Sequence, residues 1–212
     1  MHFSARHGAP YNAVMLPYST APIDSHMLTP HPYPAHLIRE SRLRDGTAVT
    51  LRPIRPDDAE REARFVRELS DESRYYRFMD HVRDLSPSVL AHFTQIDYHD
   101  HMALVATTQA GAELLQIGVA RYVVDVDSPM HAEFAIAIAD AWQNRGVGAR
   151  LMTHLITAAQ ARGLTLLFSD VLSGNRKMLS LMNKLGFIMT HDDASTATAV
   201  IRAELAINAR AK

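Results

Sequence analysis

Apolar residues recur along this chain with two periods, and the switches between them mark out its elements. Thr47 to Ile54 alternates as a half-buried strand does, and Asp45-Gly46 before it reads as the turn of a hairpin. From Pro56-Asp57-Asp58 the spacing becomes helical, with Ala59, Ala63, Val66 and Leu69 on one face. Ser73 to Met79 fits a second short helix. Ser86-Pro87 predicts a third, because serine caps a first turn and proline has no N–H to leave unpaired there. It would carry Val89, Leu90 and Phe93 inward. His101 to Thr108 and Leu114 to Val126 read as two strands around an Ala110-Gly111 turn, and His131 to Ala139 as the next. A helix with Val147, Leu151, Leu155, Ile156 and Ala159 inward runs from Gly146 to Arg162, where Gly163 stops it. Leu164 to Val171 is a strand and Asn175 to Leu185 a helix closed by Gly186. Phe187 to Thr190 and Thr198 to Leu205 form a last strand pair. Strand, helices, β-meander, then β-α-β-α-β-β predicts a mixed α/β layer with helices on both faces.

Before residue 37 no period survives. Pro10, Pro17, Pro22, Pro30, Pro32 and Pro34 punctuate Met1 to Ala35. Residues 1–36 therefore read as a flexible Pro/His-rich arm and 37–212 as one globular domain. The arm's histidines (His2, His7, His26, His31, His36) lack a metal-ligand spacing. The formal net charge of −1 argues against the basic surface that nucleic acid needs. Cysteine is absent, which excludes disulfides, thiolate metal sites and a cysteine nucleophile. No apolar run is long enough to span a bilayer, and no secretory pattern opens the chain. A soluble cytoplasmic protein is the expectation.

The chemistry concentrates in Trp142-Gln143-Asn144-Arg145-Gly146-Val147-Gly148-Ala149-Arg150, at a strand-to-helix junction. Two glycines there allow a tight turn with inward amides, and the helix behind adds the positive end of its dipole. That combination suits a phosphate or pyrophosphate. No Walker loop is present, and Gly146-Val147-Gly148 is followed by Leu151 where a dinucleotide loop has its third glycine. That leaves a loop that binds a pyrophosphate in some other fold, or a plain strand–turn–helix with a tight glycine turn.

Gln143-Asn144-Arg145-Gly146-Val147-Gly148 resembles the Gln/Arg-x-x-Gly-x-Gly/Ala motif of the GNAT acetyltransferase superfamily, and Asn175 and Lys184-Leu185-Gly186-Phe187 fall where that family places them. Leu51-Arg52-Pro53-Ile54, Tyr76-Arg77-Phe78, Thr94-Gln95-Ile96-Asp97-Tyr98 and Ala132-Glu133-Phe134-Ala135 are similar to the acetyltransferase domain of bacterial Pat-type protein lysine acetyltransferases. The likeness runs from about Leu51 to Leu205. In larger members the domain follows an acyl-CoA-synthetase-like region, so the resemblance speaks for the chemistry more than for regulation or substrate. It implies the GNAT fold: a mixed, mostly antiparallel central sheet with splayed middle strands. Acetyl-CoA would wedge between His131–Ala139 and Leu164–Val171, beside a bulge in the first. Amides near Ile136 and Ile138 would bind the pantetheine, and those of Gln143, Asn144, Arg145, Gly146, Val147, Gly148 and Ala149 the pyrophosphate, with Asn175 beside them.

Acetyl transfer needs a neutral amine, and a lysine amine with a pKa of roughly 10.4 is mostly protonated at neutral pH. A general base must take that proton. Glu133 is the only acid inside the strand expected to flank the thioester, and the matching glutamate has this role in the Pat-type domain. Apolar Phe134, Ala135 and Ile136 beside it would raise its pKa; a partner such as Arg121 is the other possibility. The tyrosine that many GNAT enzymes use as general acid is replaced by Met182, and Ser180 is out of register, so no acid is assigned. His99-Asp100-His101 lacks a third ligand, so no metal is expected. Asp125, Asp127 and Glu133 make an acidic patch that suits either a cationic acceptor or a solvated loop. The expected activity is acetylation of a protein lysine. A small amine such as a polyamine or amino acid, or a non-catalytic acyl-CoA-binding module, is the alternative.

Overall fold

The computed structural model describes residues 31–191 and 200–207. One sheet holds β1 (Arg39–Arg42), β2 (Ala48–Pro53), β3 (His101–Ala110), β4 (Glu113–Val124), β5 (His131–Ile138), β6 (Leu166–Leu172), β7 (Ile188–His191) and β8 (Val200–Ala206). Their order is β1-β2-β3-β4-β5-β6-β8-β7. Every neighbouring pair is antiparallel except β5–β6. Helices α1 (Ala59–Glu68), α2 (Asp71–Phe78) and α3 (Pro87–Thr94) pack on one face, and α4 (Val147–Arg162) and α5 (Arg176–Lys184) on the other. This is the mixed, mostly antiparallel α/β architecture that the residue pattern and the resemblance imply.

The local signals act as their chemistry dictates. Ser70, Ser86 and Asn175 each accept the amide three residues on and so cap α2, α3 and α5. Gly163 ends α4 in the left-handed region, at φ 90°. The amide of Leu164 then returns to the Ala159 carbonyl at 3.0 Å, which delays β6 to Leu166, two residues beyond the expected start. β4 stops at Val124 rather than Val126, because Asp125 accepts from Asp127 N–H at 2.9 Å and turns the chain. The expected start of the last strand at Thr198 lies outside the described residues, as does residues 1–30 of the proposed arm. Residues 31–36 pack on the domain: Tyr33 donates to the Pro53 carbonyl at 3.1 Å, and His31 stacks on His99 at 4.5 Å.

A one-residue bulge between β3 and β4, at Ala106/Thr107, changes which residues share a face. Without it, Gln116 and Arg121 would point to opposite sides. With it, both reach Glu62 of α1. His101 lies beside this cluster, 3.3 Å from Arg121. Burial holds its imidazole well below the ordinary 6.5, with help from the charges of Arg121, His92 and Arg77. The folded chain thus keeps His101 neutral, whereas the unfolded chain protonates it below about pH 6.5. The unfolded state then binds more protons, so stability falls as pH drops through that value. The expected result is a melting temperature that declines from about pH 7.5 to about pH 5.5, above the range where carboxylates titrate, with a shallower decline in His101→Gln. Equal slopes in the two proteins would remove His101 as the cause.

Candidate active site

The parallel pairing of β5 and β6 is short. It joins His131 to Leu166, Ala132 to Leu167 and Glu133 to Phe168, and then ends. Both strands continue, to Ile138 and Leu172, but they diverge. On the other side β5 stays in unbroken register with β4 from Ala132 to Ile138. The expected bulge in β5 is therefore not there; divergence from β6 frees its edge. The Ala139 amide donates to Ile117 of β4 at 3.0 Å. Peptide groups alternate sides along a strand, so the amides of Ile136 and Ile138 point away from β4 and into the gap.

A cleft of about 1130 Å³ runs through this gap. Its walls include Ala135 to Ile138 of β5, Ser169 to Val171 of β6, one face of α2 and the Gln143–Gly146 turn. At the turn, Asn144 (φ 60°) and Gly146 (φ 86°) are both left-handed, which aims successive amides into the concavity in front of α4. The first helical N–H groups of α4 have no partner within the helix, and they add to the same end. A Cβ on Gly148 would lie 3.2 Å from Leu181 of α5, a tight contact, and 3.6 Å from Ile138 of β5, so glycine lets the helix start pack closely against α5.

Side chains brace the turn. Gln143 Nε2 donates to the Ile138 carbonyl and to Ser73 Oγ, both at 3.2 Å, and Lys177 donates to Gln143 Oε1 at 2.7 Å. Asp140 accepts from Ser70 N–H, Ser70 Oγ and Ser73 Oγ at 2.9, 2.8 and 2.7 Å. These bonds fasten α2 to the end of β5. Arg145 stacks on Trp142 at 4.3 Å and pairs with Asp45 of the β1–β2 turn. The Thr47 amide and then Arg145 pull the Asp45 carboxyl down to about 2. Arg44, Arg150, Arg176 and Lys184 also line this end, which is the charge an anionic group requires.

The cleft thus gathers Ile136, Ile138, Gln143, Asn144, Arg145, Gly146, Gly148, Ala149 and Asn175 along its walls. Val147 goes elsewhere: its side chain is 1% exposed in the core beneath α4, which leaves only its amide at the helix start. Glu133 is half-buried at the last paired position before the strands part, on the face covered by α1–α3. Arg121 pairs with Glu62 at 3.1 Å. Met182 is fully buried in the core, while Ser180 and Leu181 of the same helix line the cleft. Residue reading missed the α2 wall of Glu72, Ser73, Tyr76 and Arg77. The only signal for it was the Tyr76-Arg77-Phe78 likeness. His99 turns to Asp100 and Arg162, while His101 faces Arg121. Among the described residues no three potential metal ligands come together, and no helix is long and apolar enough to cross a membrane.

The chain is similar to known proteins. The model of the acetyltransferase (GNAT) family matches residues 63–187, more than half of the chain. An acetyltransferase of Pseudomonas aeruginosa is 36% identical over 163 residues, which are 77% of this chain and 87% of that protein. The acetyltransferase Pat of Mycolicibacterium smegmatis is 34% identical over 152 residues, 72% of this chain but 45% of Pat, so the chain spans less than half of that relative. The crystal structure of the GNAT domain of S. lividans PAT superposes with a TM-score of 0.74 at 33% identity, covering 82% of this chain and 99% of that one. On the cleft, the turn and these matches together, the chain belongs to the acetyltransferase (GNAT) family.

Proposed function

We propose that the protein is an acetyl-CoA-dependent N-acetyltransferase acting on a primary amine, namely a protein lysine, with Glu133 as general base. The observation that carries this is the gap that opens just past the Glu133–Phe168 pair, with a pyrophosphate-type turn at its far end. Acetyl-CoA supplies the activated acetyl group and its thiol is the leaving group. The chain's own part is to hold and to deprotonate. The Ile136 and Ile138 amides add a strand-like ladder, and the Gln143–Ala149 amides with Arg145 take the pyrophosphate. Glu133 accepts a proton from the ammonium, and the freed lone pair attacks the carbonyl carbon. As the new C–N bond forms the C–S bond breaks; the second proton still on the acylated nitrogen leaves to water, and the coenzyme A thiolate takes its proton from water.

The lysine assignment is supported by the likeness to the two Pat proteins. Free-thiol release from acetyl-CoA, followed with proteins, polyamines and amino acids as acceptors, tests it. Release driven by protein lysines is expected. Release with small amines alone would make this a small-molecule enzyme, and tight binding without acceptor-dependent release would make it an acyl-CoA-binding module.

The turn makes its own prediction. Gly146→Ala places a side chain in the left-handed region at a strain of about 1–2 kcal/mol, and its Cβ meets Arg150 Nη1 at 2.7 Å. The loop must shift, so the Kd for coenzyme A, measured by calorimetry, is expected to rise about tenfold, the equivalent of that strain. With donor saturating, kcat should stay within about twofold, because the distortion is uniform between ground and transition states. An unchanged Kd would mean that the turn does not hold the cofactor.

A further inference from the structure

On the face that carries Glu133 the structure encloses several charged side chains, whose desolvation has to be offset by pairing. Arg121 and Glu62 are each 1% exposed, and Arg77 of α2 is 6% exposed. Arg121 sits 4.1 Å from the centre of the Phe93 ring, and Arg77 lies 5.8 Å from the same ring. Two guanidinium groups thus flank one aromatic side chain. Arg121 is opposite Ala135 in the β4–β5 register, which makes Glu133 its diagonal neighbour on the same face. Glu62 pairs with Arg121 at 3.1 Å. It is Arg77, not Arg121, that reaches the cleft wall beside Ala135 and Ala137.

We propose that Arg77 is the positioning residue for the general base: it holds the Glu133 carboxylate ionised and aimed at the mouth of the gap. This rests on the reading of Glu133 as base. Burial pulls the Arg77 guanidinium down to about 9, the nearby Arg121 adds to that, and Glu62 and Glu133 act in the opposite direction. Even so lowered it stays charged at neutral pH. The position of α2 follows from the tie of Ser70 and Ser73 to Asp140, so the strand that carries the base also anchors the helix that orients it. The other charged groups around Glu133 on this face include Arg121 on β4 with Glu62 of α1 and, about Phe168, Asp170 on β6, Glu204 on β8 and Arg202 on β8, whose guanidinium lies 3.8 Å from the Phe168 ring and engages Asp170 at 3.1 Å. His101 on β3, opposite Val123, is held neutral.

The test is a double-mutant cycle of Arg77→Met and Glu133→Gln, with Arg77→Lys as the charge-retaining variant. Calorimetry with coenzyme A confirms a folded cleft in each. Arg77→Met is expected to lower kcat about 10²-fold, the scale of a misplaced catalytic group, with the KM for acetyl-CoA little changed. The acidic limb of its pH–kcat/KM profile should move up by about one unit or more, because a nearby cation favours the carboxylate. Arg77→Lys should recover most of the rate and the original limb. In the Glu133→Gln background, Arg77→Met should add almost nothing. An equal loss in both backgrounds, or an unmoved acidic limb, overturns the positioning role while leaving Glu133 as base. A Glu133→Gln enzyme at wild-type rate overturns both. If Arg77→Met does not fold, failure of folded Arg77→Lys to keep the wild-type limb decides against the proposal.

Discussion

Glu133→Gln is expected to lower kcat by about 10²–10⁴-fold, the range set by removing a positioned base, or about 3–5 kcal/mol of transition-state stabilisation. Glutamine fills nearly the same volume, so the last β5–β6 pair with Phe168 should persist. The groups that would hold the cofactor lie further along, from Ile136 to Ala149, and do not involve the carboxylate. Affinity for coenzyme A should therefore stay within about twofold, the pattern of an interaction made only in the transition state. The pH response adds a sharper signature. Without a base the enzyme depends on the amine fraction that is already neutral, and with a pKa of roughly 10.4 that fraction grows about tenfold per unit of pH. A log-linear rise in rate between about pH 7 and about pH 9 is expected for the variant, where the wild type levels off. Steady-state thiol release and calorimetry measure both. Loss of coenzyme A binding in step with the rate would reassign Glu133 to structure.

The fold was legible in the sequence wherever a local rule decides. The α4 stripe from Val147 to Ala159, the Ser86 cap and the alternation of β2 each depend on residues within a few positions. The glycine turn was legible for the same reason, since Gly146 adopts the left-handed region and Gly148 packs tightly on Leu181. What escaped depends on partners distant in sequence. Glu133 and Phe168 are neighbours only because β6 enters parallel to β5, and no residue type announces where the two part. Arg77 reaches the cleft because Asp140 holds Ser70 and Ser73. Val147 shows one signal serving two readings: its helical spacing placed it in the core, and its place in the motif placed it in the site. The side chain follows the spacing, and only the amide is left for the motif.

Arg121→Met is expected to destabilise the protein by about 3–5 kcal/mol, the cost of breaking a buried ion pair from one side. For a chain of this size that lowers the melting temperature by about 10 °C. Arg121 and Glu62 have side chains only 1% and 2% exposed, with 3.1 Å between nitrogen and oxygen. The charge on Glu62 would stay behind, with the amide of Gln116 and the charge of Arg77 still acting on it. Burial already pulls the Arg121 guanidinium below its ordinary value while Glu62 opposes the shift, so each charge is tolerated because of the other. The loss should therefore not be additive. Combining Arg121→Met with Glu62→Leu and Gln116→Leu removes the stranded charge and the stranded amide together, and more than half of the lost stability should return. The bulge at Ala106/Thr107 is what makes a triple replacement necessary, because it brings Gln116 and Arg121 to one face and commits both to Glu62. Thermal and chemical unfolding of the single and triple variants measure the recovery. A triple variant as unstable as Arg121→Met would show that the cluster stabilises by its shape around Phe93 rather than by balancing its charges.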